Sequence, residues 1–293
     1  MGESLYKVNL LVPGAGKSGT TSLHSYLNQH PKICMTRDED KEPHYFAMDA
    51  QYARGPAYHN SLFTCEGKIN PVYFGESSTT YFLSETAVGR IKKDLDNPKF
   101  IVLLRNPIDR MDSHYRWMCT YFGENRPFEE AVMADKDLPF DPNKPEEKGV
   151  YKFYYAESCY GTYLERYINT FGKENIHILT TENLKKDYKA ALNSCFIFLG
   201  LEATDNVEET IQGVTVKRHL HIPGLMKKVS FILPDKYFRK MKNKLIDRFF
   251  TTKEYMQVLN EAQRIWARDI LKEEVAKLKK VTGMSFSEWP DFN

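Results

Sequence analysis

No stretch of this chain is apolar for long enough to cross a bilayer. The longest purely apolar run near its centre, Phe100 to Leu104, falls far short of the roughly 20 residues that a membrane-spanning helix needs. Residues 1–12 also lack the apolar region of a secretory signal. A strong excess of one charge is missing too. The formal net charge is +2, and no nucleic-acid partner is expected from so small an excess. Cysteine is sparse and odd in number: Cys34, Cys65, Cys119, Cys159 and Cys195 lie far apart without metal-ligand spacing. That pattern predicts free thiols in a reducing compartment, a cytoplasmic location and no bound metal. No internal repeat is visible, which excludes a solenoid.

What is present suits one large globular domain. The chain has 293 residues, 42% of them hydrophobic and 27% charged, enough to bury a substantial core. Lys7–Val12, Ile33–Met35, Val72–Gly75, Phe100–Leu104 and Ile176–Leu179 read as strands. Between and after them, Thr20–Gln29, Ser84–Leu95, Ile108–Phe122, Tyr151–Phe171 and Lys185–Leu199 carry helical patterns. Such alternation predicts an α/β fold, a single domain with a central parallel sheet flanked by helices. Residues 1–205 would form this core and 206–293 a mostly helical C-terminal extension, with Lys253–Val281 one long helix or two. Between Lys217 and Arg248, ten Lys and Arg face only Asp235 and Asp247, a balance of +8 on a body of −6. Phe238, Met241, Leu245 and Phe249 recur there at helical spacing. Segment 227–250 therefore reads either as an amphipathic helix packed on the domain or as a peripheral contact with an anionic membrane surface.

The densest chemistry lies in Val12-Pro13-Gly14-Ala15-Gly16-Lys17-Ser18-Gly19-Thr20-Thr21. An apolar strand runs into a glycine-bearing loop and then a helix, which presents backbone N–H groups and a helix N-terminus to an anion. Gly16, Ser18, Gly19, Thr20 and Thr21 supply close backbone approach and hydroxyls, and Lys17 adds a mobile cation. A full triphosphate-binding loop needs a further glycine five positions before Gly16, and Leu11 stands there. The loop is a phosphate cradle that departs from the triphosphatase pattern.

A second constellation runs from Arg105 to Ser113. Arg105 ends the strongest strand, where open α/β sheets place their ligands, and Ser113 lies about 9 Å up the following helix from Pro107. A guanidinium and a hydroxyl so placed can share one phosphate. The two motifs together suggest a nucleotide held at two separated phosphates.

These residues carry a family resemblance. Lys17-Ser18-Gly19-Thr20-Thr21 resembles the 5′-phosphosulfate loop of sulfotransferases that use 3′-phosphoadenosine 5′-phosphosulfate (PAPS), and Arg105 through Ser113 resembles their 3′-phosphate motif. Lys41-Glu42-Pro43-His44-Tyr45-Phe46 is similar to the segment that supplies the catalytic glutamate in carbohydrate sulfotransferases, including the heparan sulfate type. Gly75-Glu76-Ser77-Ser78-Thr79-Thr80-Tyr81-Phe82 resembles their E-K-(S/T)-x-x-Y-F segment, with Ser77 where that group commonly has lysine. Tyr160-Gly161-Thr162-Tyr163 resembles a segment usually written R-G-x-Y, with Tyr160 in place of arginine. The agreement runs in order over roughly residues 7–200.

The resemblance implies a P-loop-like fold and sulfuryl transfer from PAPS, leaving adenosine 3′,5′-bisphosphate (PAP), with no metal required. It implies that Lys17 steadies the leaving group and that Glu42 removes the acceptor's proton. His44 is the alternative base or an orienting partner, and Glu76 competes as base or substrate ligand. Glu76, Ser77 and Tyr163 are assigned to the acceptor side, and Lys217 and Arg218 to the 3′-phosphate. The acceptor would be a hydroxyl or amine of a carbohydrate or small metabolite. Two alternatives stay open: a P-loop nucleotide kinase, because Pro13-Gly14-Ala15-Gly16-Lys17 also resembles the adenylate-kinase loop, and a non-catalytic nucleotide-binding protein.

Overall fold

The computed structural model describes residues 6–136, 138–144, 152–204, 206–209 and 259–293. Lys217, Arg218 and the basic segment 227–250 lie outside them. The strands are β1 (Leu10–Leu11), β2 (Ile33–Met35), β3 (Tyr73–Glu76), β4 (Lys99–Leu104) and β5 (Ile176–Thr180). They form one sheet in the order β2-β3-β1-β4-β5, and each neighbouring pair is parallel. Helix α1 (Thr20–Gln29) follows β1, and α2 (Asp49–Tyr52) and α3 (Gly55–Ser61) fall between β2 and β3. Helix α4 (Glu85–Asp94) precedes β4, whereas α5 (Pro107–Phe122) and α6 (Phe128–Met133) follow it. Helix α7 (Tyr160–Phe171) leads to β5, followed by α8 (Thr181–Lys186), α9 (Tyr188–Phe198) and α10 (Glu261–Thr282).

The unbroken apolar run of β4 is explained by burial on both faces. Phe100, Val102 and Leu104 pack among residues of α4, α7 and α10. Ile101 and Leu103 point the other way, into a cluster with Leu23 and Leu27 of α1 and Leu192 and Phe196 of α9. A strand's side chains alternate with period 2, so a strand covered on both sides must be apolar throughout. The C-terminal helix α10 is drawn into this core by a small residue. A Cβ on Gly161 of α7 would lie 2.5 Å from the Glu274 carbonyl oxygen of α10, so only glycine permits the approach. The Thr162 N–H and hydroxyl then donate to the Glu274 carboxylate at 3.0 and 2.7 Å.

Several boundaries differ from expectation. Helix α7 begins at Tyr160, not Tyr151, because residues 152–159 fold as irregular chain with a 3-10 turn at Ala156–Ser158. That turn brings the Phe153 and Tyr154 carbonyls to the buried Arg110 guanidinium, an attraction that helical periodicity does not register. The helix expected over Lys185–Leu199 is two helices, because the Asp187 side chain caps α9 by accepting from the Ala190 N–H. Strand β1 is only two residues long, since Pro13 has no N–H to continue a ladder.

The expectation of five free thiols fails for two of them. Cys34, on β2, forms a disulfide with Cys65, while Cys119, Cys159 and Cys195 are free and buried. A cross-link between positions 31 residues apart restricts the unfolded chain by about 3–4 kcal/mol in the loop-entropy account. The pairing also removes, for these two residues, the thiol argument for a reducing compartment.

The chain leaves β1 toward β2 on one side of the sheet and leaves β4 toward β5 on the other. The loops after β1 and β4 therefore part at a topological switch point, the crevice where open α/β sheets take their ligands. Both motifs singled out in the sequence, Gly14–Thr21 and Arg105–Ser113, begin there.

Candidate active site

The loop after β1 is bound to the end of β4 by two backbone hydrogen bonds, from Ala15 N–H to Leu103 O at 2.8 Å and from Leu103 N–H to Gly14 O at 2.9 Å. The Thr181 hydroxyl at the start of α8 lies 2.6 Å from the Ser18 carbonyl and 2.9 Å from that of Leu104. To turn into α1, the backbone becomes left-handed at Lys17 (φ 68°) and Gly19 (φ 97°). Glycine adopts this freely, whereas at Lys17 it costs about 1–2 kcal/mol. Strain of this kind collects at functional positions.

Lys17 forms no ion pair among the described residues. Its ammonium instead lies 4.6 Å from the centroid of Trp117, on α5. Burial lowers its pKa to about 8, with Glu157 opposing the shift and Arg110 and Arg105 adding to it. Arg105 reaches the same loop, its Nη1 donating to the Lys17 carbonyl at 3.4 Å. Ser113 is buried on α5, one and a half turns or more beyond Pro107.

The loop already grips an anion, and it is an internal one. Glu157 Oε1 accepts from the Gly16 N–H at 2.8 Å, and Oε2 accepts from Arg110 Nη1 at 2.7 Å. Arg110 is wholly buried and also donates to Ser158 Oγ at 2.7 Å and to the Tyr154 carbonyl. A carboxylate held by a loop N–H and a guanidinium stands in for a phosphate oxygen pair. Burial raises the Glu157 pKa, while Arg110 and the Gly16 hydrogen bond pull against that. The Ser18 hydroxyl nearby is buried beside the Tyr160 hydroxyl. A loop N–H with a carboxylate on it, a buried hydroxyl and the Lys17 and Arg105 cations fit the phosphate groups of a nucleotide donor.

A direct consequence can be measured. An entering 5′-phosphate must share the Gly16 N–H with Glu157, and two anions there repel. Glu157→Gln is expected to tighten PAP binding about 10-fold, or about 1.4 kcal/mol. Because the Glu157 pKa is raised, the carboxylate loses its charge as pH falls, so the advantage of the variant should shrink toward low pH. Calorimetry of both proteins across pH 5–8 checks this. Weaker binding by the variant would make Glu157 a support of the loop instead of a competitor.

Across the crevice, a 3-10 turn at Asp38–Asp40 delivers Lys41 and Glu42. Glu42 Oε2 accepts from the Thr79 N–H at 3.2 Å and from the Thr79 hydroxyl at 2.7 Å, and Oε1 accepts from Lys41 Nζ at 2.8 Å. Burial pushes the Glu42 pKa up, but Lys41, His44 and these hydrogen bonds outweigh it and hold the pKa at about 2. Glu42 is thus ionised and aimed. The His44 backbone takes a left-handed φ of 52°, its N–H donates to Ser78 Oγ, and its Nδ1 lies 2.9 Å from Thr80 Oγ1. Burial lowers the His44 pKa against the pull of Glu42 and Glu76, which disfavours the imidazolium.

The family model for the sulfotransferase domain matches residues 8–259. The chain belongs to the PAPS-dependent sulfotransferase family. Human bifunctional heparan sulfate N-deacetylase/N-sulfotransferase 2 is 25% identical over 207 residues, which cover 69% of this chain and 23% of that protein. Mouse heparan sulfate glucosamine 3-O-sulfotransferase 5 is 30% identical over 176 residues, 59% of this chain and 48% of its own. The chain thus spans about a quarter of the first relative and about half of the second. Among solved structures, a sulfotransferase from Alicyclobacillus acidocaldarius superposes with a TM-score of 0.68 at 21% identity, covering 96% of this chain and 98% of that one. That likeness concerns the fold.

Within this sulfotransferase the expected site residues separate into two groups. Gly16, Lys17, Ser18, Gly19, Thr20, Arg105, Glu42 and His44 gather around the crevice. Glu76 and Ser77 do not line it, for both are fully buried. Glu76 accepts from Ser78 Oγ at 2.6 Å and the Tyr81 hydroxyl at 2.8 Å, and lies 3.1 Å from His59 Nε2. Ser77 Oγ lies 2.9 Å from His24 Nδ1. Both side chains therefore support the segment that holds Glu42. Tyr163 is half-buried and packs on Phe82 at 5.4 Å between ring centroids. Tyr160, the departure from arginine, is buried near Phe82 and Trp289.

Arg110, Glu157, Trp117 and Lys41 were not expected at this sulfotransferase's site. Arg110 and Lys41 stand inside the two quoted motifs, so proximity in sequence was a usable signal for them. Nothing in the sequence marks Glu157, which is 141 residues from Gly16. Among the described residues no group of three or more His, Cys, Asp or Glu is placed to hold a metal ion, and no helix is long and apolar enough to cross a membrane.

Proposed function

We propose that this sulfotransferase moves the sulfuryl group of PAPS to an amine or hydroxyl of a carbohydrate acceptor, with Glu42 as the base. The observation that carries the proposal is the opposition of two devices across one crevice. On one side are Lys17 and a loop N–H that already binds a carboxylate. On the other is an ionised Glu42 fixed by Thr79 and Lys41. PAPS supplies an activated sulfuryl group on a nucleotide leaving group. Lys17 and the loop N–H groups neutralise charge that develops on the oxygen left behind, as preorganised donors do elsewhere. Glu42 takes the acceptor's proton, and His44 and Thr79 fix its surroundings. Arg105 contributes to the 3′-phosphate side.

A glucosamine-containing glycan is the favoured acceptor class, because the relatives named above are heparan sulfate sulfotransferases; a small metabolite is the alternative. The basic segment 227–250 remains a proposed contact with an anionic membrane surface or polymer. A cytoplasmic location is also proposed only, and the Cys34–Cys65 pairing would suit an oxidising compartment better.

Calorimetry tests the central proposal. PAP is expected to bind without magnesium, and ATP with magnesium is expected to bind weakly or not at all. The reverse preference would favour a nucleotide kinase and sink the proposal.

A further inference from the structure

Lys41 brings a cation into the crevice from an unforeseen side. The residue is 8% exposed. Its ammonium donates to Glu42 Oε1 at 2.8 Å and to the Thr20 hydroxyl at 3.4 Å, and lies 3.5 Å from the Ser77 carbonyl. Thr20 is the first residue of α1, and a helix N-terminus carries partial positive charge. An ammonium at that end is repelled by the helix, and at rest the repulsion is offset by Glu42. Lys17 and Arg105 bring two more cations to the loop that feeds the same helix. This charge pattern suits an anion that arrives between the loop and Glu42.

Position 77 adds a second observation. The Ser77 side chain is turned away, to His24, so no side chain of this residue competes for the space at its carbonyl. The Lys41 ammonium reaches the carbonyl of that same residue. The Glu42 segment thus brings a positive charge to the end of β3.

Building on the sulfotransferase reading, we propose that Lys41 is the second cation of sulfuryl transfer in this chain, its ammonium passing from Glu42 to the sulfuryl oxygens as the donor binds and so freeing Glu42 to accept the acceptor's proton. In the transfer step, a lone pair on the acceptor nitrogen or oxygen forms the bond to sulfur. The bond between sulfur and the bridging phosphate oxygen breaks, and its electron pair stays on PAP. The acceptor's proton goes to a Glu42 carboxylate oxygen. Lys41 stays protonated throughout, and nothing is oxidised or reduced. The exchange has a physical advantage: a carboxylate clamped by an ammonium is a poor base, and one that has lost it is a better base.

Lys41→Met and Lys41→Arg test this by binding, titration and rate. In Lys41→Met, PAP affinity should be unchanged, while PAPS affinity falls about 10-fold, the weight of one charge-assisted hydrogen bond. The Glu42 carboxyl, followed by carbon-13 NMR without nucleotide, should titrate within the ordinary carboxylate range instead of at about 2. Turnover of PAPS with N-desulfated heparan should fall about 100-fold. Lys41→Arg keeps the charge and should keep the wild-type ratio of PAPS to PAP affinity. Equal loss of PAP and PAPS binding would make Lys41 a mere support of the loop and overturn the proposal. So would an unchanged PAPS-to-PAP ratio in Lys41→Met, or an arginine variant as defective as the methionine one. A wild-type protein that binds neither nucleotide overturns the sulfotransferase reading as well, so the two failures are distinguishable.

Discussion

Glu42→Gln is expected to lower turnover by about 10²- to 10⁴-fold, the usual worth of a positioned general base, with PAP affinity nearly intact. The glutamine carbonyl can still accept from Thr79, and although its amide cannot accept from Lys41, that ammonium keeps the Thr20 hydroxyl and the Ser77 carbonyl beside it. What the glutamine loses is the ability to take a proton. Rate and affinity therefore separate, and that separation distinguishes a base from a structural residue. Held at about 2 by Lys41, His44 and Thr79 against the effect of burial, Glu42 stays ionised throughout the physiological range. The acid limb of kcat/KM that belongs to it should lie well below pH 4. An acid-side activity loss at higher pH in the wild type would belong to another group, and Glu157, raised by burial, is the first to examine. Steady-state kinetics of the variant, paired with PAP calorimetry, decides the matter; a parallel loss of both would show Glu42 to be a scaffold residue.

Lys17→Met is the second large effect. Removing one preorganised donor from a charge-stabilising site costs about 10²- to 10³-fold in rate, and this donor also carries a full charge. Methionine keeps the side chain's apolar stem against Trp117, so the loss reports the ammonium. The pH dependence has a definite sign. Burial, assisted by Arg110 and Arg105, brings Lys17 down to about 8 in the free protein. Its charge is therefore lost as pH rises through that value, and kcat/KM for PAPS should fall on the alkaline side near pH 8. Because kcat/KM reports the free enzyme, bound nucleotide does not mask this limb. Lys17→Arg, whose guanidinium does not deprotonate in this range, should remove the alkaline limb even where its absolute rate is poor. A rate for Lys17→Met within a few-fold of wild type would move the leaving-group cation to Lys41 or Arg105.

The sequence alone determined the architecture and singled out the two segments that meet at the switch point of the sheet. Strand β4 was legible because a strand covered on both faces has no polar positions, and Phe100–Leu104 has none. The two motifs were legible because each is local: glycines, hydroxyls and a lysine within ten residues, or an arginine just after a strand. Glu42 was legible only through resemblance, since an acidic residue in the run Asp38-Glu39-Asp40-Lys41-Glu42 looks like solvated loop.

Tertiary structure alone decided how these parts bear on one another. Spacing gives no warning that a carboxylate 141 residues away sits on the Gly16 N–H, or that Glu76 turns inward to Tyr81, Ser78 and His59. The Cys34–Cys65 bond likewise depends on where the chain before β3 passes β2. Local pattern fixes how each segment buries its apolar face, because that depends on near neighbours in the chain. Which charge meets which depends on how distant segments close around the crevice after β1, and that is settled only when the sheet is assembled. The loop Gly14–Thr21 was readable as a phosphate cradle from its own residues; that it opposes Glu42, holds Glu157 and has Lys41 at the head of α1 came from the fold.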